Sequence, residues 1–307
     1  MSKTVLTFYC DDTSPYGRPP EAFKTFLDFV SSQGIAGESS VILGVGGALL
    51  SRPTSDVERA YIEQVRRAFD CGIDTHVELM THGGLYDFKG HRVPEDAPHE
   101  GLWLHEPAVS AEDYESYFGH ILEEGEKIGV KFTGVTWPGC GCEVCTRRYA
   151  ELRQAGITGV NPNVWRALLS LAKGGKFRRR TVPCFIHPDE AFSGARLMAS
   201  DGPYAVYDLI ANIGDWFGIW DNTPARVNAD YYISADGKSG RIVELVRAGA
   251  PYGVFYAHWQ GLNPADGVGW RAFTEVVARV KRFLGDRVTW MRPSDITEQI
   301  HALRVQR

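Results

Sequence analysis

Thr4-Val5-Leu6-Thr7-Phe8-Tyr9-Cys10-Asp11-Asp12 opens the chain with a run of β-branched, aliphatic and aromatic residues that stops on two acids. Such a run, without polar alternation, reads as a strand buried on both faces, the type found in parallel α/β sheets. Its carboxyl end would carry Asp11 and Asp12. Pro15, Gly17, Pro19 and Pro20 then break the chain, and Ala22, Phe23, Phe26, Leu27, Phe29 and Val30 recur at helical spacing up to Gln33-Gly34.

The strand–helix beat continues. Patterning predicts strands at 40–44, 75–81, 130–137, 181–186, 217–220, 231–233, 253–257 and 288–290. It predicts helices at 58–71, 110–128, 144–153, 164–173 and 270–284, and a last one from Ser294. Ser110-Ala111-Glu112-Asp113 reads as a capping box with Asp in place of Glu. Seven or eight strands alternating with helices predict an α/β fold closed into a deformed (β/α)7–8 barrel. An open doubly wound sheet is the alternative. Gly44-Val45-Gly46-Gly47 is too irregular for its phosphate-binding fingerprint.

Neither an internal repeat nor a linker interrupts the 307 residues, so one catalytic barrel domain is expected over 1–307. It would carry a long loop at about 85–109 and a Cys-containing segment at 139–146. Loops of that length are usually lids or binding loops. A hydrophobic fraction of 44% is enough for a large core, and a formal charge of −5 gives no reason to expect nucleic acid or an anionic membrane as partner. The run Lys176-Phe177-Arg178-Arg179-Arg180 reads as a solvated helix end. No apolar run reaches the roughly 20 residues that span a bilayer, and the amino terminus lacks a secretory pattern. Three of the six cysteines cluster at Cys140, Cys142 and Cys145, which suits a reducing compartment. A cytoplasmic protein is expected, with a homo-oligomer left open.

In a parallel barrel, residues at the carboxyl ends of the strands converge on one face. The first strand would bring Asp11 and Asp12. The third would bring His82, with His76 at its start, and the fourth Pro138-Gly139 and the thiols. The late strand would bring His258 and Trp259. Adjacent carboxylates on a strand point to opposite sides, so one can ligate a metal while the other holds a water. The plain alternative is that the pair starts a turn.

Phe8-Tyr9-Cys10-Asp11-Asp12, followed by the Pro-rich turn and helix, resembles the first motif of the polysaccharide deacetylase family. The segment from Phe26-Leu27-Asp28 through Ser40-Val41-Ile42-Leu43 is similar to the family's next helix and strand. Glu78-Leu79-Met80-Thr81-His82-Gly83 looks like its histidine motif, Val135-Thr136-Trp137-Pro138-Gly139 like its Pro-Gly strand end, and Phe255-Tyr256-Ala257-His258 like its closing motif. The resemblance implies that Asp11 is the general base, that Asp12 and His82 are metal ligands and that His258 protonates the leaving group. It also implies a divalent cation, zinc first, and a hydrolase that removes an acyl group, as amide or ester, from a carbohydrate or related small polar substrate.

Three departures stand out. Tyr86 occupies the place of the family's second histidine, which makes His105, in Trp103-Leu104-His105-Glu106, the preferred third ligand. Thr13 stands where the family favours Gly, and the arginine usually found beside the Pro-Gly motif is missing. Separately, Cys140, Cys142 and Cys145 suggest a second zinc site, with Cys184 or His187 as a fourth ligand, or a set of free thiols. Asp221-Asn222-Thr223-Pro224 reads either as an orienting carboxylate for His258 or as an Asx turn. Trp103, Trp137, Trp220 and Trp259 read as sugar-stacking or packing residues. Competing functions are a metal-free glycosidase-like barrel using Asp11 and Glu78, and a catalytically inactive carbohydrate-binding barrel.

Overall fold

The computed structural model describes residues 3–16, 19–45, 48–139, 141–186, 189, 191, 194–215, 217, 227–265 and 267–306. Strand β1 (Thr4–Asp11) lies between β8 (Tyr252–His258) and β9 (Val288–Trp290), parallel to both. A second sheet contains β2 (Gly37–Val41), β3 (Ile73–Val77), β4 (Gly134–Thr136), β5 (Thr181–Phe185), β6 (Ala195–Asp201) and β7 (Tyr204–Leu209). Its order is β2-β3-β4-β5-β7-β6, parallel except for the β6–β7 pair. Two isolated bridges link the sheets, Thr13 to Val41 and Ile213 to Phe255. Thr13 fixes the first of these: its hydroxyl meets Ser39 Oγ at 3.0 Å and accepts from Tyr61 Oη at 3.0 Å. The fold is therefore α/β, with a mixed sheet in place of an all-parallel one.

Alternation along β1 sorts its side chains. Leu6 and Phe8 join the main apolar core, where the Phe8 ring lies 5.9 Å from Phe26 of α1 (Pro20–Gln33) and 5.5 Å from Phe273 of α10 (Val268–Leu284). Tyr9, on the other face, stacks on Phe185 of β5 at 4.6 Å, so the two sheets face each other. Asp11 shares the face of Tyr9 by the same period of two.

Helix ends follow local chemistry. Pro20 starts α1 and Gly34, at φ 64°, ends it in the left-handed conformation. The expected capping box holds: Ser110 and Asp113 exchange hydrogen bonds at the start of α4 (Ala111–Lys127). A second box, Ser55 with Glu58, starts α2 (Asp56–Ala68). Helices α5 (Glu143–Gln154), α6 (Pro162–Lys173) and α11 (Pro293–Val305) also lie close to the expected spans.

One expected strand is replaced by a helix, one falls almost wholly outside the described residues, and one hairpin is additional. Residues 231–233 do not form a strand: Tyr231 and Tyr232 end α7 (Ala229–Tyr232) and Ile233 caps it, the helix being started by Asn228, whose side chain accepts from Asp230 N at 2.9 Å. Of the strand expected at 217–220, only Phe217 lies within the described residues, stacked on Tyr232 at 4.4 Å. The β6–β7 hairpin is additional to the expected elements, and it turns at Gly202-Pro203, with Gly202 at φ 55°. The long loop contains α3 (Glu100–Trp103), with bridges Gly84–His99 and Asp87–Arg92. Among the described residues no helix is long and apolar enough to cross a membrane. The basic run leaves Arg178 and Arg180 exposed, and the Arg178 guanidinium lies 3.8 Å from the centre of the Phe69 ring.

Candidate metal centre and active site

The carboxyl ends of β1, β3 and β8 meet at a cavity of about 620 Å³ lined by Asp11, Asp12, Glu78, His82, Tyr256 and His258, among others. Parallel pairing sets Asp11 opposite His258 in register, so two residues remote in sequence become neighbours through the backbone ladder. Asp11 is only 4% exposed, and its Oδ1 has no hydrogen-bond partner among the described residues. Burial pushes its carboxyl well above the usual range, and the nearby charges of Glu78, Glu38 and Asp12 push the same way.

Asp12 leaves the strand in the left-handed conformation, φ 65°. Its N–H donates to Glu78 Oε2 at 2.8 Å and to Ser40 Oγ at 3.0 Å, while its Oδ2 accepts from Gln260 Nε2 at 2.9 Å. Its Oδ1 is buried without a hydrogen bond and lies 3.5 Å from His82 Nδ1. The same nitrogen lies 2.8 Å from Glu78 Oε1. Asp12, Glu78 and His82 thus offer two carboxylate oxygens and one imidazole nitrogen within 4.8 Å of one another.

Their titration follows from this crowding. Burial lifts Asp12 to about 6, with Glu78 adding to the rise and His82, His258 and Gln260 opposing it. Burial also works to raise Glu78, but His82, the Ser40 hydroxyl and the Asp12 N–H together hold it below its ordinary value. Burial works to lower His82, and the Glu78 hydrogen bond and charge, with Asp12, outweigh it and bring the imidazole to about 9. The His82 imidazole thus lies against both acids, 3.5 Å from Asp12 Oδ1 and 2.8 Å from Glu78 Oε1.

Backbone strain concentrates here. Four non-glycine residues in the described chain have positive φ, and three of them are Asp12, Leu79 (φ 49°) and His82 (φ 55°). Each costs on the order of 1–2 kcal/mol against the right-handed form, and such residues persist where surrounding contacts over-determine them. Glu100 supplies those contacts for the His82 turn. Its buried carboxylate accepts from Met80 N at 3.0 Å, Thr81 N at 2.9 Å, Thr81 Oγ1 at 3.2 Å and Tyr117 Oη at 2.5 Å. Gly101 is required next to it, because a Cβ there would collide with the Pro138 carbonyl at the end of β4.

His258 is held from both sides. Its Nδ1 lies 3.1 Å from Asp215 Oδ2 and its Nε2 lies 3.0 Å from Tyr256 Oη. Asp215 thus stands in the place foreseen for Asp221, which lies outside the described residues together with Asn222, Thr223 and Pro224.

The structure does not bring every expected residue to the centre. His105 lines the cavity but stays outside the cluster of donor atoms: its Nδ1 lies 3.1 Å from Gly159 O and its ring meets Tyr149 edge-on at 5.2 Å. Glu78 is the third member of the donor group. His76 is fully buried below the cavity, where burial pushes it down to about 3. Cys142 caps α5 by accepting from Cys145 N at 3.5 Å, and no group of three metal donors includes either thiol among the described residues. Cys140 and His187 lie outside those residues, and Cys184 is buried in β5. Trp137 lines the cavity and stacks on Trp165 at 5.5 Å. Trp103 packs on Tyr114 and Tyr117, Trp259 on Phe23 and Phe26, and Trp220 is not described.

An α/β chain with an acid-and-histidine cluster at its strand ends has counterparts among solved structures. It is similar to a "putative glycoside hydrolase/deacetylase" from Parabacteroides distasonis, at 7% identity and TM-score 0.54, over 98% of this chain and 72% of that one. It is also similar to a GH57-type branching enzyme from the hyperthermophilic archaeon Pyrococcus horikoshii, at 10% identity and TM-score 0.52, over 97% and 70%. The 4-alpha-glucanotransferase of Thermococcus litoralis matches at 12% identity and TM-score 0.50, over 97% of this chain and 41% of that enzyme. At such identities the likeness is one of fold. No family model matches the chain, and no curated protein does.

Proposed function

We propose that this chain is a metal-dependent hydrolase of the carbohydrate deacetylase type, removing an acyl group from an amide or ester on a carbohydrate or related small polar molecule. The observation that carries the reading is the convergence of Asp12, Glu78 and His82, with a buried Asp12 Oδ1 that accepts no hydrogen bond, beside Asp11. Two carboxylates and one imidazole form a donor set that zinc accepts, with room for water and substrate as further ligands. Burial and, after it, the charges of Glu78, Glu38 and Asp12 raise Asp11, and a dication would offset that crowded negative charge. We take the two sheets as arcs of one deformed barrel in a single domain. The bridges Thr13–Val41 and Ile213–Phe255 and the Tyr9–Phe185 stack across the interior support this.

When bound, the cation supplies Lewis-acid polarisation of the scissile carbonyl. Asp11, at the cavity floor, accepts a proton from the attacking water. The His258–Asp215 pair supplies the proton that the leaving nitrogen or oxygen needs. The cavity of about 620 Å³ is in the range of small-molecule sites and suits a short saccharide. A metal-free glycosidase would need Glu78 as one of two reacting carboxyl groups. Glu78 is 1% exposed and engaged by His82, Ser40 and the Asp12 N–H, which suits a ligand better than an acid or nucleophile.

The test is acetate release from N-acetylated and O-acetylated sugar oligomers. The reading expects release that stops on chelation and returns with added zinc. Cleavage of glycosidic bonds without acetate release would contradict it. Sugar binding without turnover would mark an inactive binding protein.

A further inference from the structure

We propose that Tyr256 is the catalytic residue that hands the proton to the leaving atom, with His258 and Asp215 acting through it as positioning residues. The inference rests on the hydrolase reading above. Asp215 Oδ2, the His258 ring and Tyr256 Oη form one continuous line, with contacts of 3.1 and 3.0 Å. Tyr256 and His258 are two residues apart in β8, so strand alternation places both side chains on one face. Both line the cavity, but His258 is only 8% exposed whereas Tyr256 is half-buried. Phe185, with its ring 4.8 Å away, holds the tyrosine ring in place.

The imidazole thus has a protein group at each nitrogen, and the one at Nε2 belongs to Tyr256, the more exposed of the two cavity-lining residues. With His258 protonated, Nδ1–H donates to Asp215 and Nε2–H donates to Tyr256 Oη. The phenol's own proton is then available to whatever occupies the cavity. As the carbon–nitrogen bond breaks, its electron pair moves onto nitrogen and takes the Tyr256 proton. The phenol oxygen takes the Nε2 proton, and neutral His258 keeps Nδ1–H on Asp215. The water oxygen has meanwhile bonded to the acyl carbon and given one proton to Asp11, which passes through solvent to recharge His258, so the acyl group leaves as the free acid and the cycle balances without another reactant.

Tyr256→Phe, His258→Asn and the double variant test this on two substrates, with zinc content and circular dichroism measured on each protein. One substrate is an N-acetyl amino sugar, whose amine must be protonated as it leaves. The other is 4-nitrophenyl acetate, whose phenolate leaves without a proton. The expected loss for Tyr256→Phe is about 10²–10⁴-fold on the amide and under about 10-fold on the ester. The double variant should be no worse than either single one, because the two act as a unit. Amide activity of Tyr256→Phe within about 3-fold of the parent, with His258→Asn inactive, would overturn the role of Tyr256 and leave the hydrolase reading standing. Equal losses on both substrates would also overturn it, as loss of binding or structure and not of a proton donor. A parent protein that hydrolyses neither would remove the hydrolase reading and the proton donor with it.

Discussion

The two walls of the cavity are built in opposite ways. One consists of strand ends: Asp11, Asp12, Glu78 and His258 follow β1, β3 and β8 and are buried or nearly so, tied to one another and to the backbone. The other rides on α5 and the turn after it, where Thr146, Arg153 and Thr158 are exposed. That wall rests on a small apolar cluster of Leu102, Cys145 and Leu152, separate from the main core. Glu106 and His105 fasten it, the first by two contacts of 2.8 Å to Arg148 and the second to Gly159 O. The difference separates two tasks. Reacting groups need fixed geometry, which stiff strand ends supply, whereas recognition tolerates a wall that can be rebuilt.

The contrast can be broken at several strengths. Asp11→Asn strikes the stiff wall hardest and should lower turnover by about 10²–10⁴-fold, with circular dichroism and zinc content unchanged. A loss below about 10-fold would mean that Asp11 is not the base.

The polar interior behind that wall should show in stability. Asp208 is buried in β7, and burial lifts it to about 7, opposed only by Arg196 at 3.9 Å. An acid whose folded pKa lies above its unfolded value destabilises the fold as pH rises between the two, here from about 4 to about 7. Asp208→Asn removes that penalty. It should gain about 2–4 kcal/mol in urea unfolding at pH 8 and nothing near pH 4. A gain that is equal at both pH values would point to packing instead.

Glu100→Gln should loosen the turn that presents His82 and weaken zinc binding by about 10–100-fold, read by competition with a chelator. Unchanged affinity would reduce Glu100 to a structural residue. On the rebuilt wall, Arg153→Met should raise KM about 3–10-fold with kcat unaltered. A fall in kcat instead would place Arg153 in the chemistry and erase the division between the walls.

Much of the stiff wall was legible because it follows from periodicity. The apolar run at Thr4 to Tyr9, the Ser110 box and the run at 253–257 each state a strand or a helix start in local residue types. Asp11, Asp12, His82 and His258 come along as the residues where those strands end. What was hidden depends on contacts distant in sequence. Glu78 meets His82 because the chain turns at Leu79, and a leucine carries no signal for positive φ. Glu100, Gln260 and Asp215 act across gaps of 18, 248 and 43 residues from His82, Asp12 and His258, and no local pattern marks them. The β6–β7 hairpin did leave a local trace, Gly202-Pro203 before the apolar run of β7. His105 was attractive because it is a histidine in a long loop, but its ring fastens the opposite wall.

If Asp12, Glu78 and His82 hold a divalent cation, Glu78 is the residue whose loss separates that site from one held by the thiols. Zinc stoichiometry and affinity, measured by elemental analysis and calorimetry on the parent, Glu78→Gln and the Cys142→Ser/Cys145→Ser pair, test it most directly. The account predicts about one zinc per chain, lost in Glu78→Gln and kept in the double serine variant. Zinc that survives Glu78→Gln and disappears with the thiols would contradict it.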